Sequence, residues 1–336
     1  MIWRNNDKDL KDAASKIRSG ELVAIPTETV YGLGANALDE GAVLSIFKAK
    51  GRPADNPLIV HIADVNDLET YAYPNEWAYQ LAERFWPGPL TMILPKKEII
   101  PSVVSAGLDS VALRFPAHPI ARKIIQYSQC PIAAPSANVS GKPSGTTAEH
   151  VLHDFGDKIS GVIDGGSSAC GLESTVVSLL GDHPILLRPG FVTPEQIREV
   201  IPSLTVAKAV EEELKKDEKI LSPGLAHKHY APGAETVGLI GSAPFVAEYL
   251  RNNDPDRNYA VMCFDGEEQF FDAKIVVTYG HRFSAEEQGE RLFDVLRTLD
   301  DMAVNRIYIN VERSGGVGLA VYNRLLRSCG FRMIRV

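Results

Sequence analysis

The sequence predicts an α/β protein with two domains, a larger one built on a mixed sheet and a smaller, doubly wound one. Short apolar or β-branched runs alternate with segments whose apolar residues recur at helical spacing. The 336 residues exceed what one core usually holds. Apolar periodicity fails between residues 201 and 233, where charges bunch and Pro and Gly recur. We therefore expect a larger domain at 1–200, a linker at 201–233 and a smaller domain at 234–336.

The first elements are predicted by spacing and by end signals. Residues 7–19 carry apolar residues at helical spacing and stop at Gly20, and 22–26 form a strand-like run. Asp39 can cap the next helix, whose buried face would be Ala42, Val43, Ile46 and Phe47. That helix brings Lys48, Lys50 and Arg52 to its C-terminal end.

The remaining elements follow the same alternation. In the larger domain we predict strands at 57–62, 90–94, 110–115, 131–134, 162–164, 175–180 and 185–188, with helices at 76–85, 119–127 and 194–200. In the smaller domain we predict strands at 236–240, 259–263, 274–279 and 306–311, helices at 243–250, 285–302 and 317–327, and a last strand.

Composition and charge exclude several classes of protein. The formal net charge of −8 argues against a general nucleic-acid binder. The chain lacks an apolar stretch of the roughly 20 residues that cross a bilayer, and its N-terminus lacks the apolar core of a secretion signal. Four widely separated cysteines without C-x-x-C spacing indicate reduced thiols. We expect a cytoplasmic protein with no membrane partner.

Two polar segments follow apolar runs and carry the chemical signal. The first, from Pro26, reads PTETVYGLG and is followed by the three cations at the end of the second helix. The second reads APSANVSGKPS at 134–144. Hydroxyls, glycine backbone N–H groups and cations together predict a polyanion site in one shared cleft. On spacing alone, a solvated cationic face stays the commoner alternative.

These segments resemble a known family. PTETVYGLG, KAKGRPADNPLIVHI, SVALRFPAHP, APSANVSGKPSGT, ESTVV and LRPG occur in the order seen in the YrdC-like domain of threonylcarbamoyl-AMP synthases. SPGLAHKHYAP at 222–232 and an α/β tail resemble the long, two-domain form of that family. The resemblance covers nearly the whole chain. It implies a YrdC-like twisted, concave mixed sheet and a smaller Rossmann-like C-terminal domain.

The resemblance also implies a reaction. L-threonine, bicarbonate and ATP would become threonylcarbamoyl-AMP and pyrophosphate, a nucleotidyltransferase reaction whose product serves to modify an adenosine in tRNA. Mg²⁺ would arrive with ATP, held by phosphate oxygens and water. Since the histidines show no metal-binding spacing, we expect no protein-held metal. Transient contact with the threonylcarbamoyl transferase proteins that modify tRNA is a further expectation.

The family pattern assigns roles residue by residue. A Lys-x-Arg pair and a Ser-x-Asn pair would hold the triphosphate and the developing charge: Lys50, Arg52, Ser136 and Asn138. The L-threonine contacts would be Thr29, His61, Arg114, Ala134 and Ser174. The ATP contacts would be Arg52, Asn56, Ser110, Ser136, Ser144, Arg188 and Tyr230.

Structural alternatives stay open for several of these residues. Arg114 could belong to a surface ion pair, and His61 could be a core histidine bonded to a backbone carbonyl. Ser110 and Ser144 could serve a turn or a cap. Lys48 is expected to face solvent.

The segment at 222–232 is predicted to fold back as a lid that carries Tyr230 over the nucleotide and excludes water. A passive tether is the alternative. Two other functions also stay open: an RNA-binding module, and another carbamoyl-transferring enzyme on the same scaffold, which would need a different acceptor pocket.

Overall fold

The structure, a computed structural model, describes residues 1–212, 230–302 and 304–336. Within them the first sheet has eleven strands: β1 (Ile2–Trp3), β2 (Val23–Ile25), β3 (Gly32–Asn36), β4 (Ile59–His61), β5 (Leu90–Pro95), β6 (Ser110–Arg114), β7 (Ile132–Ala133), β8 (Gly161–Ile163), β9 (Thr175–Ser178), β10 (Ile185–Arg188) and β11 (Thr205–Val206). Their order is β1-β8-β2-β3-β7-β4-β6-β5-β9-β10-β11. Parallel pairs such as β4 with β6 adjoin antiparallel pairs such as β2 with β3, so the predicted mixed sheet is confirmed.

Seven described helices accompany this sheet: α1 (Asp7–Arg18), α2 (Glu40–Lys50), α3 (Asp67–Tyr71), α4 (Glu76–Phe85), α5 (Pro119–Ser128), α6 (Ala148–Phe155) and α7 (Pro194–Val200). The sequence patterns missed α3 and α6, which are five and eight residues long, too short for a clear period. The cap of α2 is as predicted, because the Asp39 carboxylate accepts a hydrogen bond from the backbone N–H of Ala42 at 3.1 Å. At its other end Gly51 takes a left-handed φ of 61°, which turns the chain sharply toward Arg52.

The first residues of the predicted linker belong to the first sheet instead. β11 pairs in parallel with β10. Ile201, Leu204 and Val210 are buried in the main core of the first domain. These three residues are too few over ten positions to establish a helix or strand period, which hid them from pattern reasoning. The rest of the predicted linker, residues 213–229 with most of the predicted lid, lies outside the described residues.

The second sheet is parallel throughout. Its strands are β12 (Glu235–Ile240), β13 (Ala260–Cys263), β14 (Ile275–Thr278), β15 (Arg306–Val311) and β16 (Met333–Arg335), in the order β14-β13-β15-β12-β16. The connections carry α8 (Ala243–Asn253), α9 (Ala285–Asp301) and α10 (Val317–Ser328), as parallel strands require. Of the helices in the described ranges, none combines the length and apolar character needed to cross a membrane.

The two domains share part of one core. Val30 and Leu172 of the first domain are buried in the same apolar cluster as Phe293 of α9. The backbones also approach closely: a Cβ at Gly171, whose φ is 68°, would lie 2.4 Å from the carbonyl oxygen of Gly289. Only glycine fits there without a shift of one domain. The second domain therefore packs directly beside the polar segments.

Candidate active site

The first polar segment turns from β2 back into the sheet as β3. We expected Gly32 and Gly34 to present free backbone N–H groups, but both lie buried in β3, where Gly34 pairs with Val23 and Gly32 with Ile25. The two glycines permit close packing, since a Cβ at Gly34 would meet the Val23 carbonyl oxygen at 3.0 Å. Within the turn, the Thr27 hydroxyl donates to the Val30 carbonyl at 2.6 Å.

The cations at the end of α2 have different positions. Lys50 is 3% exposed, and its Nζ donates to the backbone carbonyls of Ser136 and Asn138 at 2.5 and 2.6 Å. Burial, together with the nearby Arg52, holds the Lys50 pKa well below 10.5. Arg52 lies against the Asn56 carbonyl at 3.2 Å, and burial lowers its pKa to about 10. Lys48 is exposed, as expected.

Lys50 thus connects the first polar region to the second polar segment. In that segment the Ser136 hydroxyl donates to the Asn138 side-chain carbonyl at 2.6 Å. The Asn138 amide group donates to the carbonyls of Val139 and Lys142, both at 2.9 Å. The loop is therefore fixed by its own side chains before any ligand binds.

Arg114 ends β6 and is almost fully buried. Its Nη2 lies 2.8 Å from a carboxylate oxygen of Glu28, and its Nη1 donates to the Thr29 hydroxyl at 2.8 Å. Its Nε has no hydrogen-bond partner in the described part of the chain. Burial opposes ionisation of Glu28, but the charge and hydrogen bond of Arg114, together with backbone N–H donors, outweigh it and lower the carboxyl pKa. The ion pair considered as an alternative therefore exists, but it is buried and leaves guanidinium N–H groups, among them that of Nε, without a protein acceptor in the described part of the chain.

His61 lies beside Arg114, because β4 and β6 pair in that register. Its Nδ1 is 3.3 Å from the Ile132 carbonyl oxygen, so the backbone contact of a core histidine is present. Burial, reinforced by the cationic Arg114, lowers the His61 pKa to about 3. The imidazole is neutral near pH 7 and can serve binding but carries no charge.

Residues at the start of β9 and the end of β10 form the next wall. Arg188 donates from Nε to the Ser174 carbonyl at 3.0 Å and from Nη2 to the Ser174 hydroxyl at 3.2 Å. The Ser174 hydroxyl also lies 2.7 Å from that of Thr91. Burial lowers the Arg188 pKa, opposed by Tyr230 and Glu173.

Tyr230 covers this wall from the side of the second domain. It takes a left-handed φ of 62° and is 6% exposed. Its ring centroid lies 5.1 Å from that of Phe293 on α9. Tyr230 belongs to the buried apolar cluster of the second domain.

These walls enclose one cavity with an empty volume of about 770 Å³, part of which is open to solvent. Eleven of the predicted site residues line it: Thr29, Lys50, Arg52, His61, Arg114, Ala134, Ser136, Asn138, Ser174, Arg188 and Tyr230. Arg52 and Asn138 share this space, so the two polar segments converge as predicted.

Three predicted ATP contacts do not line the cavity. Asn56 is buried and offers its backbone carbonyl to Arg52. Ser110 lies four residues before Arg114 on the same strand, about 13 Å away at the usual strand rise. Ser144 is fully buried and donates its hydroxyl to the Glu173 carboxylate at 2.5 Å.

Pattern reasoning also missed a lining residue, Glu173, although it begins the ESTVV motif. Glu173 is the one carboxylate among the described lining residues, and Arg324 of α10 binds it at 2.7 Å. The described cavity wall therefore does not fit a directly held divalent cation. Elsewhere Asp265, His281 and Glu287 lie together on the second domain, but Arg291 already pairs with Asp265 at 2.7 Å.

Comparison with known proteins agrees with this geometry. The Sua5/YciO/YrdC family model, described as telomere recombination, matches residues 15–190. The model of the threonylcarbamoyl-AMP synthase C-terminal domain matches residues 192–330. Threonylcarbamoyl-AMP synthase of Pyrococcus abyssi is 47% identical, with 97% of this chain and 96% of the relative covered. That of Bacillus subtilis is 46% identical, with 98% and 95% covered.

A solved structure shows the same architecture over both domains. The crystal structure of Pyrococcus abyssi Sua5 complexed with L-threonine matches with a TM-score of 0.93 and 45% identity, covering all of this chain and 99% of the other. Family models, full-length relatives and structure therefore agree, and this chain belongs to the two-domain threonylcarbamoyl-AMP synthase family.

Proposed function

We propose that this chain condenses L-threonine, bicarbonate and ATP into threonylcarbamoyl-AMP and pyrophosphate. The observation that carries the proposal is the shared cavity, in which Arg52 and Asn138 lie with Arg114 and His61. Such a cavity offers cations for a polyphosphate together with a smaller polar pocket for an amino acid. Membership of the family and the L-threonine complex of the Pyrococcus abyssi relative support the same substrate.

The proposed chemistry needs no protein nucleophile. The threonine amine takes up bicarbonate with loss of water to form a carbamate. A carbamate oxygen then forms a bond to the α-phosphorus of ATP as the bond to pyrophosphate breaks. The protein contributes alignment and neutralisation of negative charge. Arg52 and Arg188 are the cations of the nucleotide half, because both line the cavity and the family pattern places both at ATP.

On the threonine side, Arg114 binds the substrate carboxylate through the guanidinium N–H groups that Glu28 and Thr29 do not occupy. His61 and Ser174 complete this pocket. Asn56, Ser110 and Ser144 stay proposed ATP contacts only through a rearrangement or a backbone contact. Lys50 acts by holding the carbonyls of the second polar segment in place.

Magnesium would enter as the ATP complex, because the described wall offers no free carboxylate for it. No step depends on a protein-bound metal. We also propose a cytoplasmic location and transfer of the adenylate, through transient contact, to proteins that modify tRNA.

Pyrophosphate release tests the function directly. The purified chain is supplied with ATP, Mg²⁺ and bicarbonate, and with L-threonine, L-serine or no amino acid. We expect release only with L-threonine. Release with L-serine or without amino acid, and none with L-threonine, would reject the proposed substrate.

A matched pair of variants tests the nucleotide half. Arg52→Met removes a cation that lines the cavity, whereas Lys48→Met removes an exposed cation four residues earlier. We expect Arg52→Met to lose ATP binding and pyrophosphate release, and Lys48→Met to retain both. Equal behaviour of the two variants would contradict the assignment of Arg52.

A further inference from the structure

Arg324 on α10 is the largest fully buried side chain in the described ranges. It belongs to the second domain, but most of its hydrogen-bond acceptors lie in the first. Nε donates to the Glu173 carboxylate at 2.7 Å, and Nη2 donates to the carbonyls of Glu173 at 3.4 Å and Pro189 at 3.1 Å. Nη1 donates to the side-chain carbonyl of Asn323. The guanidinium therefore joins α10 to both strands of the cavity wall.

The groups held by Arg324 are the ones that shape the nucleotide half. Glu173 lines the cavity, and Pro189 follows Arg188, which also lines it. The guanidinium carbon of Arg324 lies 5.7 Å from the ring centroid of Tyr230, another lining residue of this wall. Arg324 itself does not line the cavity. It contacts Glu173, the residue after Arg188, and the Tyr230 ring from behind.

The buried ion pair between Arg324 and Glu173 needs both of its members. A carboxylate and a guanidinium removed from water are stable only while each has the other, with their remaining donors and acceptors paired. The Ser144 hydroxyl donates to the other carboxylate oxygen of Glu173 at 2.5 Å. The carboxylate therefore cannot turn toward a new partner without losing this hydrogen bond. Loss of Arg324 would leave Glu173 buried beside the anionic phosphates of the proposed nucleotide.

We propose that Arg324 is a positioning residue through which the second domain sets the nucleotide half of the cavity, by fixing Glu173, Arg188 and Tyr230 together. The main threonine contacts, Arg114 of β6 and His61 of β4, are not touched by Arg324 in the described structure. Ser174, which Arg188 bonds, is the residue that the two halves share. The inference depends on the proposed function in one respect only: the nucleotide binds in this cavity.

Separate binding measurements on the full chain test the proposal. The ligands are a non-hydrolysable ATP analogue and L-threonine, each measured alone by calorimetry. The variants are Arg324→Met, Arg324→Lys, and the control Arg313→Met, which breaks an exposed ion pair between the domains, Arg313 with Glu211. Circular dichroism and urea unfolding report whether each variant is folded.

We expect Arg324→Met to weaken binding of the ATP analogue by about tenfold or more and of L-threonine by no more than about threefold. Arg324→Lys keeps the charge but not the fork to Glu173 and Pro189, so it should recover only part of the loss. Arg313→Met should bind both ligands as the unmodified chain does. A folded Arg324→Met chain with unchanged binding, or with equal losses for both ligands, would overturn the proposal.

Glu173→Gln keeps the inference testable should Arg324→Met not fold, because it retains the shape of the contact while removing the pair. This variant should also lose more affinity for the ATP analogue than for L-threonine. Equal losses for the two ligands would refute the proposal. Failure of the proposed function would be recognised separately. The unmodified chain would then release no threonine-dependent pyrophosphate, whereas the contrast between variants in analogue binding would still be measured.

Discussion

His61 provides a pH dependence of stability whose sign and size follow from its burial. Its pKa is about 3 in the folded protein against an ordinary value of 6.5. Below pH 6.5 the unfolded chain takes up a proton at this imidazole, and the folded chain does not until pH approaches 3. The free energy of unfolding therefore falls as the pH falls through this interval. The loss is about 1.4 kcal/mol per pH unit, or about 2 kcal/mol between pH 6.5 and about pH 5.

Urea unfolding of the unmodified chain and of His61→Gln, at about pH 7 and about pH 5, isolates this contribution. Glutamine keeps an amide N–H for the Ile132 carbonyl but cannot be protonated. We expect the unmodified chain to lose about 2 kcal/mol more than the variant between the two pH values. His118, whose pKa burial also lowers, titrates in both proteins and cancels in the difference.

The reasoning has a clear point of failure. If both proteins lose the same stability to within about 0.5 kcal/mol, His61 takes up its proton in the folded state as readily as in the unfolded one. Burial beside Arg114 would then not keep the imidazole neutral, and a cationic role for it in the cavity would become the better explanation.

Three further variants test the domain contact and the cavity wall. Arg297→Met leaves the Asp154 carboxylate, 1% exposed, without its ion-pair partner, and should cost about 3–5 kcal/mol in urea unfolding; Arg297→Met combined with Asp154→Leu should recover much of the loss. Gly171→Ala should cost more than about 2 kcal/mol because its Cβ meets the second domain, whereas Gly181→Ala, with φ of 76° and open space, should cost about 1 kcal/mol; equal costs would contradict the close approach. Tyr230→Phe retains the ring contact with Phe293 and removes only the hydroxyl, so urea unfolding should show a loss of about 1 kcal/mol and calorimetry a loss of ATP-analogue binding; unchanged binding would show that the hydroxyl does not serve the nucleotide.

Local signals predicted most of the fold. The α2 helix could be located because a capping aspartate and an apolar stripe lie within a few residues of each other. β15 was predicted at its observed bounds, since its β-branched and aromatic residues are typical of a strand. β11 and α6 escaped because one has two residues and the other lacks a long stripe, so only tertiary pairing defines them.

The site was predictable where a motif and its geometry coincide, and not where the partner is distant. Arg52 and Asn138 could be placed in one cleft because each follows a strand or helix end of the same domain. Glu173 and Arg324 could not be paired, since 151 residues separate them and no local pattern links them. The burial of Glu28 against Arg114 was missed for the same reason.

The common core of Val30, Leu172 and Phe293 has a consequence for dissection of the protein. An excised fragment ending at residue 212 would expose an apolar surface formed by Val30, Leu172 and Phe191. It would also leave the Glu173 carboxylate without the guanidinium of Arg324. Such a fragment would self-associate through this surface. Any loss of its activity would then reflect the exposed surface and not the catalytic capacity of the first domain. We therefore expect the two domains to unfold as one cooperative unit, and the second domain to be required for the activity of the first.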